Sequence, residues 1–427
     1  MRLSNVRAAV GVAAVLAAVA ALLLAYPQHS LTAALRGISI WWDVLFPALL
    51  PFFIISEVLL GFGIVHFFGT MLDPLMRPLF RIPGIGGFAM ALGFASGYPV
   101  GARLTSQLWE QKLISRVEGE RLVAFITTSD PIFLIGAVSV GFFRDAGLAV
   151  ILGVAHYGSA LLIGLGMRFY GREEERAEQA ALRPAEAAPQ SWSAVYAHRS
   201  PRPVLMRAFQ AMHGARVKDG RPIGVLLSGA VKSAIQMNFV VGGLVVFFSV
   251  VLEVLTSAGV MSALHAGIGS LLQLFGLPQA LSQAVVSGLF EVTLGAKASA
   301  ADAALPLAGK AAVAAFVLSW AGLSVHAQIV SLLSGTPLRY APFAVARLAH
   351  GLLAALAVTV LWGPLQPLRA AAGQTAAAFM SSSPAHDAWT YALPGGLALL
   401  ALALALLALA AAAVRLLQRL LQRGFAE

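Results

Sequence analysis

The chain predicts an all-α, polytopic membrane protein of about eight transmembrane helices and two re-entrant hairpins in two inverted-topology repeats. Three observations predict it. The 427 residues are 59% hydrophobic and only 11% charged, against about a quarter charged in ordinary soluble domains. Apolar runs of roughly 20 residues, the length that crosses a bilayer, recur along the chain. Two further apolar segments, 85–103 and 282–297, are interrupted by breaking residues in matching halves, a pattern that points to a transporter's binding site.

Taken in order, the expected spans are 8–26, 41–65, 122–142, 147–167, 228–256, 311–333, 341–362 and 388–417. The first follows Arg2 and Arg7, and its apolar run is longer than a signal-peptide core of roughly 7–15 residues, so it is read as a retained helix. Residues 1–39 form an N-terminal helix and loop, 40–168 a first repeat, 169–221 a polar cytoplasmic linker, 222–365 a second repeat, and 366–427 a loop with a C-terminal helix. The linker, rich in Arg, Glu and Pro, is expected to be mostly mobile.

Loop charge sets the orientation, because Lys and Arg hold loops on the cytoplasmic side. Arg77 and Arg81 precede the first interrupted segment, and Arg103, Lys112, Arg116 and Arg121 follow it. Both flanks are therefore inside, and segment 85–103 enters and leaves on one side. The linker and the tail (Arg415, Arg419, Arg423) are also basic, whereas 257–281 and 363–387 together hold only Arg369. Three spans between linker and residue 363 satisfy that count, which makes 282–297 re-entrant from the opposite side.

Residue matches fit two repeats. Glu57-Val58-Leu59 reappears 196 positions later as Glu253-Val254-Leu255, Gly101-Ala102-Arg103 reappears 194 later as Gly295-Ala296-Lys297, and Ala155-His156 as Ala349-His350. Glu and His are scarce in this composition, so those matches carry the most weight.

Function is read from the breaks. Glycine and proline free backbone groups that hydrocarbon cannot satisfy, so such breaks survive only beside protein or a water-filled cavity. The first carries Gly97, Tyr98 and Pro99 before Gly101 and Arg103; the second carries Thr293, Gly295 and Lys297. A half-helix terminus beside a fixed cation favours an anionic ligand. Thr127, Thr128, Ser129 and Asp130 precede Pro131, with Ser319 at the corresponding place in the second repeat, and supply further ligand contacts. Glu57, Glu253 and Glu291 are carboxylates in apolar sequence and are the candidates for coupling to Na⁺ or H⁺. His156 and His350 are read first as packing residues, and Gly93, Gly97 and Gly101 as sites of close helix approach.

Other classes are set aside. The chain has no cysteine, which removes disulfides, thiolate metal sites and thiol catalysis. No P-loop, zinc-protease or nucleophile-elbow pattern is present, so no enzyme activity, cofactor or metal is expected. The formal charge of +10 is dispersed among membrane-flanking loops, which argues against nucleic acid and for a lipid bilayer as partner. A homo-oligomer is left open.

The strings GFASGYPVGARLTSQLWEQKLIS, GERLVAFITTSDPIFLIGAVSVGFF, GVAHYGSALLIG and SGLFEVTLGAKAS resemble the YlbJ (SpoVV) family of sporulation membrane proteins. That family lies within the nucleoside-recognition or Gate-domain group related to concentrative nucleoside transporters, and the resemblance covers roughly residues 40–365. It implies export of dipicolinic acid from the mother cell across the outer forespore membrane, by alternating access at the two hairpin tips. A Na⁺- or H⁺-coupled nucleoside or organic-solute carrier stays open beside it. So does a non-transporting scaffold that recruits sporulation partners through its linker.

Overall fold

The computed structural model describes residues 3–175 and 204–381, and every regular element among them is helical. The expected span 388–417 and the basic tail lie outside the described residues, as does the middle of the linker.

Helix α1 (Leu3–Ala25) turns by 103° into α2 (Pro27–Ser39), where Pro27 opens the new helix and cannot extend the old one. A π-helical turn at Ile40–Leu45 leads into α3 (Phe46–Gly61), which bends by 82° into α4 (Ile64–Phe80). The expected span 41–65 corresponds to the π-helical turn and α3 and ends at a bend. Its hinge is Gly63, whose φ of +75° is left-handed backbone that an α-helix cannot continue through.

A first hairpin follows, α5 (Ile85–Ser96) and α6 (Tyr98–Glu110), joined at Gly97. The expected span 122–142 is corrected. Helix α7 (Arg116–Ile126) stops, residues 127–130 are non-helical, and the chain resumes as a π-helical segment at Ile132–Phe142. Pro131 is the physical reason: it offers no N–H to the turn before it. Helix α8 (Leu148–Met167) completes the half.

Part of the linker is not mobile coil but α9 (Val204–Asp219), which lies along α4 with the Phe67 and Phe209 rings 5.0 Å apart. The second half then runs through α10 (Ile223–Ser257), α11 (Val260–Leu274), a hairpin of α12 (Ser282–Phe290) and α13 (Val292–Ala301), a broken pair α14 (Leu307–Trp320) and α15 (Gly322–Leu333), and α16 (Tyr340–Leu361). Helix α17 (Gln366–Ser381) ends the described chain. The order long helix, glycine bend, hairpin, broken helix, whole helix thus occurs twice.

Four helical stretches are long and apolar enough to cross a membrane: Leu148–Met167, Ile223–Ser257, Leu307–Leu333 and Tyr340–Leu361. Counting each bent pair as one span raises the number to six among the described residues, on which seven of the eight expected spans fall.

Contacts sort to two ends of this body. At one, the Arg121 guanidinium donates to the carbonyls of Arg81 (3.1 Å) and Tyr170 (2.6 Å), and Arg339 bonds Glu120 and Glu174. At the other, Lys310 donates to the Asp302 carbonyl (2.9 Å) beside the Phe143 ring, and Arg36 reaches Glu253 at 3.4 Å. Helices α8 and α16 run between these ends, about 30 Å apart at 1.5 Å per residue. Small residues permit the close packing that membrane helices rely on, as where Gly351 of α16 meets the Phe316 ring of α14.

Candidate functional site

Both hairpins stop in the middle of the body, and their tips face one narrow, half-open cleft. Gly97, Tyr98 and Pro99 come from the first tip, Glu291, Val292 and Thr293 from the second. The break after α7 adds Asp130 and Phe133, α15 adds Gln328, and α10 supplies an apolar wall. Five elements far apart in sequence therefore meet at one place.

Each tip has a local cause. Gly97 sits at φ +88°, and a Cβ there would lie 3.2 Å from the Asp130 carboxylate, so the tip needs glycine on two counts. Glu291 occupies extended backbone as the N-cap of α13 and accepts the Leu294 N–H at 2.7 Å. Asp130, just before Pro131, accepts the Phe133 N–H at 2.8 Å. Each carboxylate uses an oxygen on the backbone and still borders the cleft, where it can accept hydrogen bonds from a ligand's O–H or N–H groups.

Behind the cleft several of the freed backbone groups find side-chain partners. In an uninterrupted helix the Thr127 carbonyl would receive the N–H of residue 131, but that residue is proline. The Arg347 guanidinium of α16 donates to it instead at 2.6 Å, and its other terminal nitrogen donates to the Ser319 carbonyl at the end of α14. The neighbouring Leu318 carbonyl receives the Tyr98 hydroxyl (2.6 Å), and the Trp320 carbonyl receives His326 Nε2 (3.0 Å). At the first break, Tyr157 donates to the Ser129 carbonyl at 2.9 Å. Unpaired polar backbone in this interior costs several kcal/mol, on the order of 1–3 per group even in soluble proteins, so these donors hold the breaks open.

The histidines belong to the same scaffold. His156 Nε2 accepts the Ser129 N–H (3.0 Å), which leaves its proton on Nδ1 for the Ser319 hydroxyl (2.7 Å). His350 Nε2 donates to the His156 carbonyl at 2.8 Å, and the two rings stack 5.0 Å apart. All these groups are buried.

The residues singled out from sequence are divided by the fold. Gly97, Tyr98, Asp130, Thr293 and Glu291 border the cleft. Thr127 and Ser319 are tied into the scaffold behind it, while the buried hydroxyl of Thr128 has no hydrogen-bond partner among the described residues. Gly101 and Gly295 serve close approach: a Cβ would come within 2.9 Å of the Ile126 carbonyl and 2.3 Å of Gly288 respectively. Arg103 is not on the cleft; its Nε lies 3.6 Å from Glu57, which also accepts from Gln107 and Ser233. Lys297 is exposed, and Glu253 sits with Arg36 and His29 at the end of α10. Arg347, Phe133, Tyr157 and Gln328 escaped the sequence reading. Arg347 had a usable signal, since it is an ionisable residue inside a predicted span.

A Gate family model, described as nucleoside recognition, matches residues 43–143. Among curated proteins, the sporulation integral membrane protein YlbJ of Bacillus subtilis (strain 168) is 44% identical over 345 residues, covering 81% of this chain and 80% of that protein. No solved structure matches.

Proposed function

The chain belongs to the family of the sporulation integral membrane protein YlbJ, and from that premise we propose that it is a carrier, not an enzyme, moving a small organic solute by alternating access between two inverted repeats over 40–168 and 222–365. The observation that carries the reading is the meeting of both hairpin tips at one cleft. Transporters built from repeats place their substrate there, between discontinuous helices. Inversion is supported by the two ends of the body. Hairpin α5–α6 is flanked by Arg81 and the start of α7 at one end, and hairpin α12–α13 by Glu253 and Lys310 at the other.

The lining supports one class of solute. Tyr98 and Phe133 give aromatic surface, Thr293 and Gln328 give neutral polar groups, and Asp130 and Glu291 give acceptors; among the described residues no Lys or Arg borders the cleft. This suits a neutral, hydroxyl- and N–H-rich solute such as a nucleoside, in keeping with the description of the family model. Of the three coupling candidates, Glu291 is the one on the cleft. A second reading, dipicolinate export across the outer forespore membrane, is favoured by the sporulation relative. A dianion there would need Asp130 and Glu291 protonated.

Flux of labelled nucleosides and labelled dipicolinate into proteoliposomes tests both. Saturable nucleoside flux lost in Glu291→Gln carries the first reading, and dipicolinate flux without nucleoside flux carries the second. Inserted, folded protein that moves neither solute sinks the carrier reading and leaves the scaffold.

A further inference from the structure

We infer that Arg347 is a resident cation, which occupies the backbone site that a sodium ion would need at the two helix breaks and makes carriage independent of sodium. The charge arithmetic is the first ground. Arg347 is fully buried, and among the described residues it makes no ion pair with a carboxylate. A buried charge must be balanced. Its two terminal nitrogens meet carbonyls at the C-terminal ends of α7 and α14. A helix C-terminus carries roughly half a negative charge, so two of them sum to about the single positive charge of one guanidinium.

Occupancy is the second ground. Freed carbonyls at unwound helices are the groups with which carriers of this architecture coordinate a cation. Here the Thr127 and Ser319 carbonyls are both taken by Arg347, and Leu318 and Trp320 by Tyr98 and His326. A guanidinium fixed on a spanning helix cannot exchange with solution. It also ties the broken helix of one half to that of the other, so the two breaks keep their spacing while the hairpins move. The inference rests on the carrier reading only in its statement about coupling, because cation occupancy is measurable without a substrate.

Thermal unfolding of the purified full chain in nanodiscs tests it, with Na⁺, K⁺ or N-methylglucamine as the cation at constant ionic strength. The wild type is expected to unfold at the same temperature in all three. Arg347→Ala is expected to unfold lower and to regain stability with Na⁺ or K⁺, by about 2 °C per tenfold in concentration once the site is filled. A wild type stabilised specifically by Na⁺ overturns the inference, as does a folded Arg347→Ala indifferent to all cations. Where Arg347→Ala does not fold, Arg347→Gln, which keeps an amide donor without the charge, carries the same comparison. If no solute moves in proteoliposomes, the carrier reading fails while these unfolding outcomes still decide the role of Arg347.

Discussion

Arg339 and Glu120 lie 219 positions apart and share three contacts: the Arg339 backbone N–H at 2.9 Å, its Nε at 3.0 Å and a terminal nitrogen at 3.1 Å, all to the Glu120 carboxylate. Glu120 is fully buried and also takes Arg116 and the Tyr170 hydroxyl, while Arg339 extends to Glu174. One residue before α16 is thereby fastened to α7 and to the segment that follows α8.

Burial alone would raise the Glu120 pKa, but the Arg339 bonds override it and hold the carboxyl below its ordinary 4.5. Glu174 is held low by Arg339 and Arg116. A carboxyl depressed in the folded state stabilises above its unfolded pKa and loses that contribution as pH falls through the folded value. Stability from this cluster is thus complete at neutral pH and lost below about 4.5. Arg339→Ala is expected to cost about 1–2 kcal/mol, between the values for exposed and buried pairs because Arg339 is half exposed. The measurement is the pH dependence of thermal unfolding, whose acid limb should flatten in the variant.

Gly97→Ala is expected to separate transport from folding. The left-handed backbone there costs a non-glycine residue on the order of 1–3 kcal/mol, and the added methyl would press on Asp130 at the cleft. Flux should fall by about tenfold or more, as 1.4 kcal/mol of misplacement predicts, while size-exclusion behaviour stays that of the wild type. Unchanged flux would remove the first hairpin tip from the site.

The cations that flank the hairpins are expected to matter less than the carboxylates. Lys297→Ala should leave substrate affinity unchanged, and Arg103→Ala should cost about 1 kcal/mol or less in stability through the lost Glu57 pair. Asp130→Asn and Glu291→Gln should each weaken binding by at least about tenfold, the loss of one charge-assisted hydrogen bond. Titration calorimetry with the transported solute checks the order, and a reversed order would revive the anion site expected from sequence.

Inversion is open to direct labelling because the native chain has no cysteine. Single cysteines introduced over 98–103 and 292–297 should react with an impermeant maleimide from opposite sides of sealed vesicles. Labelling of both from one side would overturn the inverted arrangement.

Composition, span-length apolar runs and the Gly- and Pro-marked breaks are local quantities, and by themselves they determined a helical membrane protein with two interrupted segments and a break before Pro131; the matching break at Ala321 came only with the structure. The bends at Gly63 and Gly259 and the helix within the linker were not legible, because glycine in an apolar run reads equally as close packing. At the site, Gly97, Tyr98, Asp130, Thr293 and Glu291 were legible as polar or breaking residues where hydrocarbon should be. Which charges face the cleft was not. Arg103 and Lys297 occupy matching sequence positions, yet one pairs with Glu57 and the other faces outward, and Arg347 sits at the centre. Direction within a helix bundle depends on what packs against each face, and only the tertiary structure brings the Thr127 and Ser319 carbonyls close enough for one guanidinium to satisfy both.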